Sequence, residues 1–202
     1  MPYNRWVMWL LVRDARGRGW ATFNVEYRKL GRFGGGGGWP QAFDDVRQAI
    51  ELITEGTHGR ADSIDPARVV VVGHSAGAHL ALCAVGASSL QGPALVVSMA
   101  GPTDLQQISA HGSATVDALV ANAPEADRWR RTSPVEMLPF NAPVVCVHGE
   151  ADTTVYPWNS KRLVDLGAAD AVFIPGETHV DALNPKSAMW AAVAEAVLAT
   201  VS

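Results

Sequence analysis

Short apolar runs alternate along the chain with longer stretches in which apolar residues recur every three or four positions. Apolar runs without polar alternation are typical of strands covered on both faces, as in a parallel sheet. The predicted strands are Trp20 to Tyr27, Val69 to Val72, Leu95 to Met99, Val144 to His148 and Ala171 to Ile174. The pattern therefore predicts an α/β fold, with a mainly parallel sheet flanked by helices in one domain spanning residues 1–202.

Helical periodicity fills most of the segments between these strands. The predicted helices are Pro2 to Arg18, Gln41 to Thr57, Ala78 to Ala87, Asn159 to Leu166 and Pro185 to Val201. The segment at about 101–134 follows neither pattern and contains scattered Pro, Gly, Ser and Asp. We expect loops and short helices there, covering the sheet where a substrate pocket would be roofed.

Composition narrows the classes of function. With 48% hydrophobic and 18% charged residues in 202, the chain has the composition of a globular domain with a large core. The net charge of −4 provides no basic surface for nucleic acid. Because no stretch approaches the ~20 apolar residues of a membrane span, we expect no membrane association. The two cysteines, Cys83 and Cys146, lie in apolar surroundings and favour buried thiols in a reducing cytoplasm.

One pentapeptide carries the clearest chemical signal. Gly73-His74-Ser75-Ala76-Gly77 directly follows the valine run and directly precedes a helix rich in small residues. A serine at the apex of so tight a strand-to-helix turn adopts a strained backbone that requires small residues two positions before and after it, here Gly73 and Gly77. This context predicts an exposed nucleophilic hydroxyl on Ser75.

A serine hydroxyl needs a base within hydrogen-bond reach and a third group that orients the base. In an open parallel sheet such groups gather at the carboxyl ends of strands. Asp152 follows the strand at Val144 to His148, and His179 follows the strand at Ala171 to Ile174. The chain order Ser, Asp, His is that of a nucleophile elbow.

Other residues compete for these two roles. Glu150 lies in the same loop as Asp152 and is the rival acid. Among the histidines, we expect His148 to brace the acid loop, and His74 and His79 to point away from the serine or down the following helix. The remaining two are His58, at the end of a predicted helix, and His111, in the covering segment.

Taken together, these motifs resemble the α/β-hydrolase family, and within it the small esterase and kynurenine-formamidase-like branch. The resemblance rests on segments spread over nearly the whole chain. They are Gly-Trp-Ala at 19–21, Asn-Val-Glu-Tyr-Arg at 24–28, Phe-Asp-Asp-Val at 43–46, the elbow with Ala-His-Leu-Ala after it, His-Gly-Glu-Ala-Asp at 148–152 and Gly-Glu-Thr-His at 176–179. The resemblance implies that Ser75 is the nucleophile, His179 the base and Asp152 its orienting acid.

The resemblance also implies an oxyanion hole of two donors. The backbone N–H of Ala76 supplies one of them. In the family the second comes from a His-Gly-Gly loop that follows the third strand, and this chain has neither the loop nor that strand. In the family this third strand lies between the strands that match Trp20 to Tyr27 and Val69 to Val72. Without it, these two strands would be about 10 Å apart, which is two strand spacings. We expect a native protein that starts upstream of Met1.

The expected activity is hydrolysis of small carboxylic esters through an acyl-Ser75 intermediate. The alternatives are an amidase of the aryl-formamide type, acting on N-formylkynurenine, and a catalytically impaired scaffold that lacks a complete oxyanion hole. We expect no cofactor and no metal, because His74 and His79 are five residues apart rather than four. The expected partner is a small-molecule ester or amide. The oligomeric state is left open, with a homodimer among the candidates.

Overall fold

A computed structural model describes residues 5–31, 34–55, 64–87 and 91–201. Its sheet has four strands: β1 (Val70–His74), β2 (Leu95–Met99), β3 (Val144–Gly149) and β4 (Asp170–Ile174). They lie side by side in the order β1-β2-β3-β4, and every neighbouring pair is parallel. The predicted α/β fold with a parallel sheet is confirmed.

Helices flank this sheet and connect its strands. They are α1 (Trp9–Gly17), α2 (Gln41–Thr54), α3 (Ala76–Ala87), α4 (Leu105–Ala110), α5 (Ala114–Val120), α6 (Arg128–Thr132), α7 (Trp158–Asp165) and α8 (Ala188–Val201). Short 3₁₀ turns occur at Arg5–Met8, Pro66–Arg68, Glu125–Asp127, Pro134–Glu136 and Asp181–Leu183. As predicted, the segment 101–134 holds loops and short helices. In the described part of the chain, no helix is both long and apolar enough to cross a bilayer.

The two central strands, β2 and β3, are buried on both faces. Side chains of α1 and α8, including Leu11 and Val193, pack on one face against Val97 and Val147. Side chains of α3 and α7 pack on the opposite face, where the alternate strand residues point, such as Cys146. Because successive strand residues point to opposite faces, this double cover explains why the strands read as continuous apolar runs.

The predicted strand from Trp20 to Tyr27 does not form. These residues lie in neither helix nor strand, and the sheet begins with β1. Trp20 packs with the α1 and α8 cluster, whereas Tyr27 packs with α2 and α3, so the segment runs between the two sides of the domain. Trp20 and Tyr27 are only partly buried, and Phe23 between them is 59% exposed. An apolar run alone does not distinguish such a segment from a strand of the sheet.

The observed helices differ at their ends from the predicted ones. The last helix begins at Ala188 rather than Pro185, because the Ser187 hydroxyl accepts a hydrogen bond from Trp190 N at 3.0 Å and acts as the N-cap. Helix α2 ends at Thr54. The final two positions predicted for that helix, 56 and 57, and the first predicted positions of the N-terminal helix, 2–4, lie outside the described residues.

Candidate active site

The turn between β1 and α3 holds Ser75 in a left-handed backbone conformation with φ of +53°. Its N–H donates to the carbonyl of Met99 on β2 at 2.9 Å, and its carbonyl accepts from the N–H of His79 at 3.1 Å. A Cβ on Gly73 would lie 2.6 Å from Ala78, closer than real Cβ contacts allow. Backbone bonds and the missing side chain at Gly73 together fix the strained serine that the sequence predicted.

Gly77 is under no such constraint. A Cβ added there would meet only the hydroxyl of Tyr27, at an ordinary contact distance of 3.9 Å. Glycine is therefore required before the serine, whereas after it the start of α3 leaves room for a Cβ, so alanine would fit as well as glycine.

Asp152 lies in the loop after β3, and its carboxylate is completely buried. Its Oδ1 accepts hydrogen bonds from the backbone N–H groups of Thr154 and Val155 at 2.8 and 2.9 Å. Its Oδ2 lies 2.7 Å from Nδ1 of His179. Because a carboxylate only accepts, Nδ1 of His179 carries the proton, and Nε2 keeps a lone pair free to take another.

The loop that carries His179 is tied to the loop that carries Asp152. The N–H of Ala151 donates to the carbonyl of Glu177 at 3.0 Å. A Cβ on Gly149 would lie 2.2 Å from that same carbonyl, so glycine at the end of β3 lets the two loops approach. The Glu177 carboxylate accepts from the first amides of α8, Ala188 N and Met189 N. These contacts fix the β4–α8 loop at both ends.

His179 reaches across the edge of the sheet towards the elbow. The strands that precede Ser75 and His179, β1 and β4, are the two outer strands, three spacings or about 14 Å apart. The β4–α8 loop nevertheless brings the ring of His179 to 4.7 Å from the ring of His74, measured between centroids. Among the described residues no hydrogen bond joins Ser75 to His179. The structure thus pairs Asp152 with His179 and lays the imidazole against the residue before Ser75.

His74 contacts the backbone of His179, a contact that the sequence did not predict. Its Nε2 lies 3.0 Å from the carbonyl of His179, which can only accept, so Nε2 carries the proton. Strand alternation provides the missed signal: His74 shares a face with Val70 and Val72, the face that α8 covers. A side chain on that face meets the loop that leads into α8. Burial, followed by the charge of His179, lowers the pKa of His74 to about 4.

His148 braces the acid loop, as expected. Its Nε2 donates to the carbonyl of Val155 at 2.7 Å, and its Nδ1 accepts from the hydroxyl of Ser160 at 2.7 Å. Nε2 also lies 3.4 Å from the Asp152 carboxylate. Burial lowers the pKa of His148, so this histidine remains a neutral donor within the loop.

The remaining rivals lie away from the Asp152–His179 pair. His79 is buried in α3, where its Nδ1 donates to the carbonyl of Pro102, and burial lowers its pKa to about 4. His111 is exposed and contacts its own helix. The Glu150 side chain is exposed as well. His58 lies outside the described residues. In the described part of the chain no three His, Cys, Asp or Glu side chains are grouped to hold a metal ion.

The start of α3 offers a donor for a developing negative charge. Ala76 is exposed and is the first residue of the helix, so its N–H has no partner within the helix. The positive end of the helix dipole points the same way. This geometry is suited to one oxyanion contact beside Ser75.

A cavity of about 420 Å³ lies along α3, between α2 and the covering segment. Its lining includes Trp39, Phe43, Cys83, Arg130 and Met137. Arg130 and Arg131 of the covering segment line one wall of this cavity. Ser75, Asp152 and His179 are not part of this lining, so the cavity is separate from the elbow.

Solved structures of esterases share this fold. A truncated carbohydrate esterase from gut microbiota matches with a TM-score of 0.66 and 21% identity, over 81% of this chain and 70% of its own. A carboxylesterase from Lactobacillus plantarum matches with a TM-score of 0.62 and 21% identity, over 80% of this chain and 68% of its own. A bifunctional GH43-CE protein from Bacteroides eggerthii matches with a TM-score of 0.67 and 19% identity, over 89% of this chain and 27% of its own.

The sequence itself gives the family. No curated protein matches the chain. The BD-FAE family model matches residues 6–166, a segment that includes the elbow and Asp152. The chain therefore belongs to the BD-FAE family, an esterase family of the α/β-hydrolase type.

Proposed function

We propose that the protein hydrolyses small carboxylic esters, with Ser75 as nucleophile, His179 as general base and Asp152 as the acid that orients it. The observation that carries the proposal is the 2.7 Å bond from His179 Nδ1 to buried Asp152, which leaves Nε2 as a proton acceptor on a ring that lies against His74 of the elbow. Family membership supports ester hydrolysis as the class of reaction.

In the first half of the proposed reaction, Ser75 Oγ bonds to the ester carbonyl carbon while its proton passes to Nε2 of His179. The carbonyl oxygen becomes negative and accepts from the N–H of Ala76. When the intermediate collapses, the ester C–O bond breaks and His179 returns the proton to the departing alcohol. Asp152 stabilises the imidazolium that exists between these steps.

In the second half, water attacks the acyl-Ser75 carbonyl carbon and gives a proton to His179. The carbon–Oγ bond then breaks, the carboxylic acid leaves, and His179 returns the proton to Ser75. The same groups serve both halves because the second is chemically the reverse of the first, with water in place of the alcohol.

Turnover of two substrates tests the reaction and its class. The purified chain is incubated with p-nitrophenyl acetate and with a formyl anilide, beside Ser75→Ala and His179→Ala. We expect ester hydrolysis that both substitutions abolish, and a much smaller kcat/KM on the formyl anilide. Preference for the anilide would instead assign the formamidase activity. Hydrolysis of neither substrate by the folded chain would contradict the proposal and favour the impaired scaffold.

A cytoplasmic location accompanies this proposal. Cys83 and Cys146 are both buried and free, and they lie in separate core clusters. Two buried thiols suit a reducing compartment. Fractionation of cells that express the native gene is the check, and recovery outside the cytoplasm would contradict it.

A further inference from the structure

We infer that His74 is a positioning residue for the proposed base: its Nε2–H holds the backbone of His179, and its ring supports the imidazole. This inference rests on the proposed function, because it assigns His74 a task in the reaction proposed for Ser75, Asp152 and His179.

Two contacts carry the inference. The Nε2 of His74 lies 3.0 Å from the His179 carbonyl, and the two rings lie 4.7 Å apart with 45° between their planes. Asp152 fixes the opposite side of His179, at Nδ1. His179 is therefore held at its side chain by one residue and at its backbone by another, and both rotation and displacement of the imidazole are limited.

The place of His74 in the chain gives this contact its significance. His74 is the last residue of β1, directly before Ser75, so its position is fixed by the same strand that presents the serine. The loop carrying His179 comes from the far edge of the sheet. The hydrogen bond is thus a direct connection between the element that holds the nucleophile and the loop that holds the base. A misplacement of about 1 Å between such groups is enough to slow a reaction about 100-fold.

The charge of His74 suits this role. The ionisable groups that act on it are His179, Asp152 and His148, and burial opposes its protonation most strongly. With a pKa of about 4, His74 stays neutral at pH 7. A neutral neighbour does not repel the imidazolium that forms on His179 when it takes the serine proton.

Substitution at position 74 separates positioning from packing. The amide nitrogen of His74→Gln reaches about as far as Nε2 and still donates, whereas His74→Phe keeps a ring and loses the donor. We expect His74→Phe to lower kcat about tenfold with KM little changed, the loss set by one neutral hydrogen bond, and His74→Gln to recover most of it. Exposed His111→Leu is the control for loss of a histidine elsewhere. Native kcat in His74→Phe, or equal losses in both variants, would overturn the inference.

A second measurement needs neither a variant nor turnover. Nitrogen-15 NMR of the imidazole rings reports which ring nitrogen carries the proton. We expect the native chain to show neutral His74 in the Nε2–H form at pH 6. His74 in the Nδ1–H form, or charged at that pH, would overturn the inference. Absence of ester hydrolysis in the native chain would contradict the proposed function and with it the role of His74, whereas the wrong tautomer in an active chain would contradict the role of His74 alone.

Discussion

At the scale of single residues, the proposed chemistry depends on the hydrogen bonds that hold one carboxylate, that of Asp152, in place. Oδ1 of Asp152 is occupied by two amides of its own loop, and only Oδ2 faces His179. The carboxylate is thereby prevented from turning away from the imidazole. A buried charge with three donors is also well compensated for the loss of water.

Asp152→Asn tests this arrangement. Asparagine keeps an oxygen for the two loop amides but places an NH₂ group against Nδ1 of His179, which then has no acceptor for its proton. The imidazole is expected to shift its proton to Nε2, the wrong tautomer for a base. We expect kcat for ester hydrolysis to fall about 10⁴-fold. Circular dichroism confirms folding, and Glu150→Gln is the control. A loss under tenfold, or an equal loss in Glu150→Gln, would contradict the role of Asp152.

The two glycines of the elbow make a matched pair. We expect Gly73→Ala to lower the free energy of unfolding by about 3 kcal/mol, because its Cβ would overlap Ala78. Gly77→Ala meets only ordinary contact with Tyr27 and places a better helix former at the start of α3, so its free energy of unfolding is expected to stay within about 1 kcal/mol of native. Urea unfolding measures both. Similar losses at the two positions would show that the turn is packed differently.

At the scale of elements, the β4–α8 loop acts as a strap over the carboxyl edge of the sheet. The Glu177 carboxylate caps α8, its carbonyl binds the Asp152 loop, and His179 follows two residues later. A negative charge at a helix N-terminus is favoured by the unpaired amides and by the helix dipole. The position of the proposed base is therefore coupled to the folding of the last helix.

Glu177→Ala tests this coupling. We expect a loss of about 1 kcal/mol in the free energy of unfolding, because two amides of α8 lose their acceptor. We also expect a fall in kcat larger than any change in KM, since the loop carrying His179 loosens. Exposed Glu195→Ala, on the same helix, is the control. Native stability and native kcat in Glu177→Ala would show that α8 and the loop are independent.

The pattern of apolar and polar positions locates all four strands of the sheet to within two residues at each end. It works because a doubly covered strand has to be apolar on both faces, as Val96 and Val97 show. It fails for Trp20 to Tyr27, where apolar residues partly pack on two different clusters or, like Phe23, face solvent, and no strand forms. The chain order of Ser75, Asp152 and His179 is visible in the sequence. Strand alternation indicates the face of the sheet on which His74 lies, but its bond to the His179 backbone depends on the path of a loop and is not visible in the sequence.

At the scale of the whole molecule, three histidines, of which His79 and His148 are buried and His74 is partly buried, make stability depend on pH. Burial lowers the pKa of His74 and His79 to about 4 and also lowers that of His148. In the unfolded chain each titrates near 6.5, so between about pH 6.5 and 4 the unfolded state binds more protons than the folded state. The stability from these groups is therefore fully present above about pH 6.5 and is lost as the pH falls towards 4.

His79→Asn isolates one of these contributions. Asparagine can keep the bond to the Pro102 carbonyl, but it does not titrate. We expect the free energy of unfolding of the native chain to fall more steeply from pH 6.5 to 4.5 than that of the variant, by up to about 1.4 kcal/mol per pH unit. His111→Asn, at an exposed position, is expected to keep the native slope. Equal slopes in all three proteins would show that His79 protonates freely in the folded state.

Covalent labelling of Ser75 tests the central claim most directly. The folded chain is treated with a fluorophosphonate, digested, and mapped by mass spectrometry, beside His179→Ala. The account predicts one adduct, on the peptide that contains Ser75, with labelling at least 100-fold slower when His179 is absent. An unlabelled native chain, an adduct on a different serine, or equal labelling without His179 would contradict it.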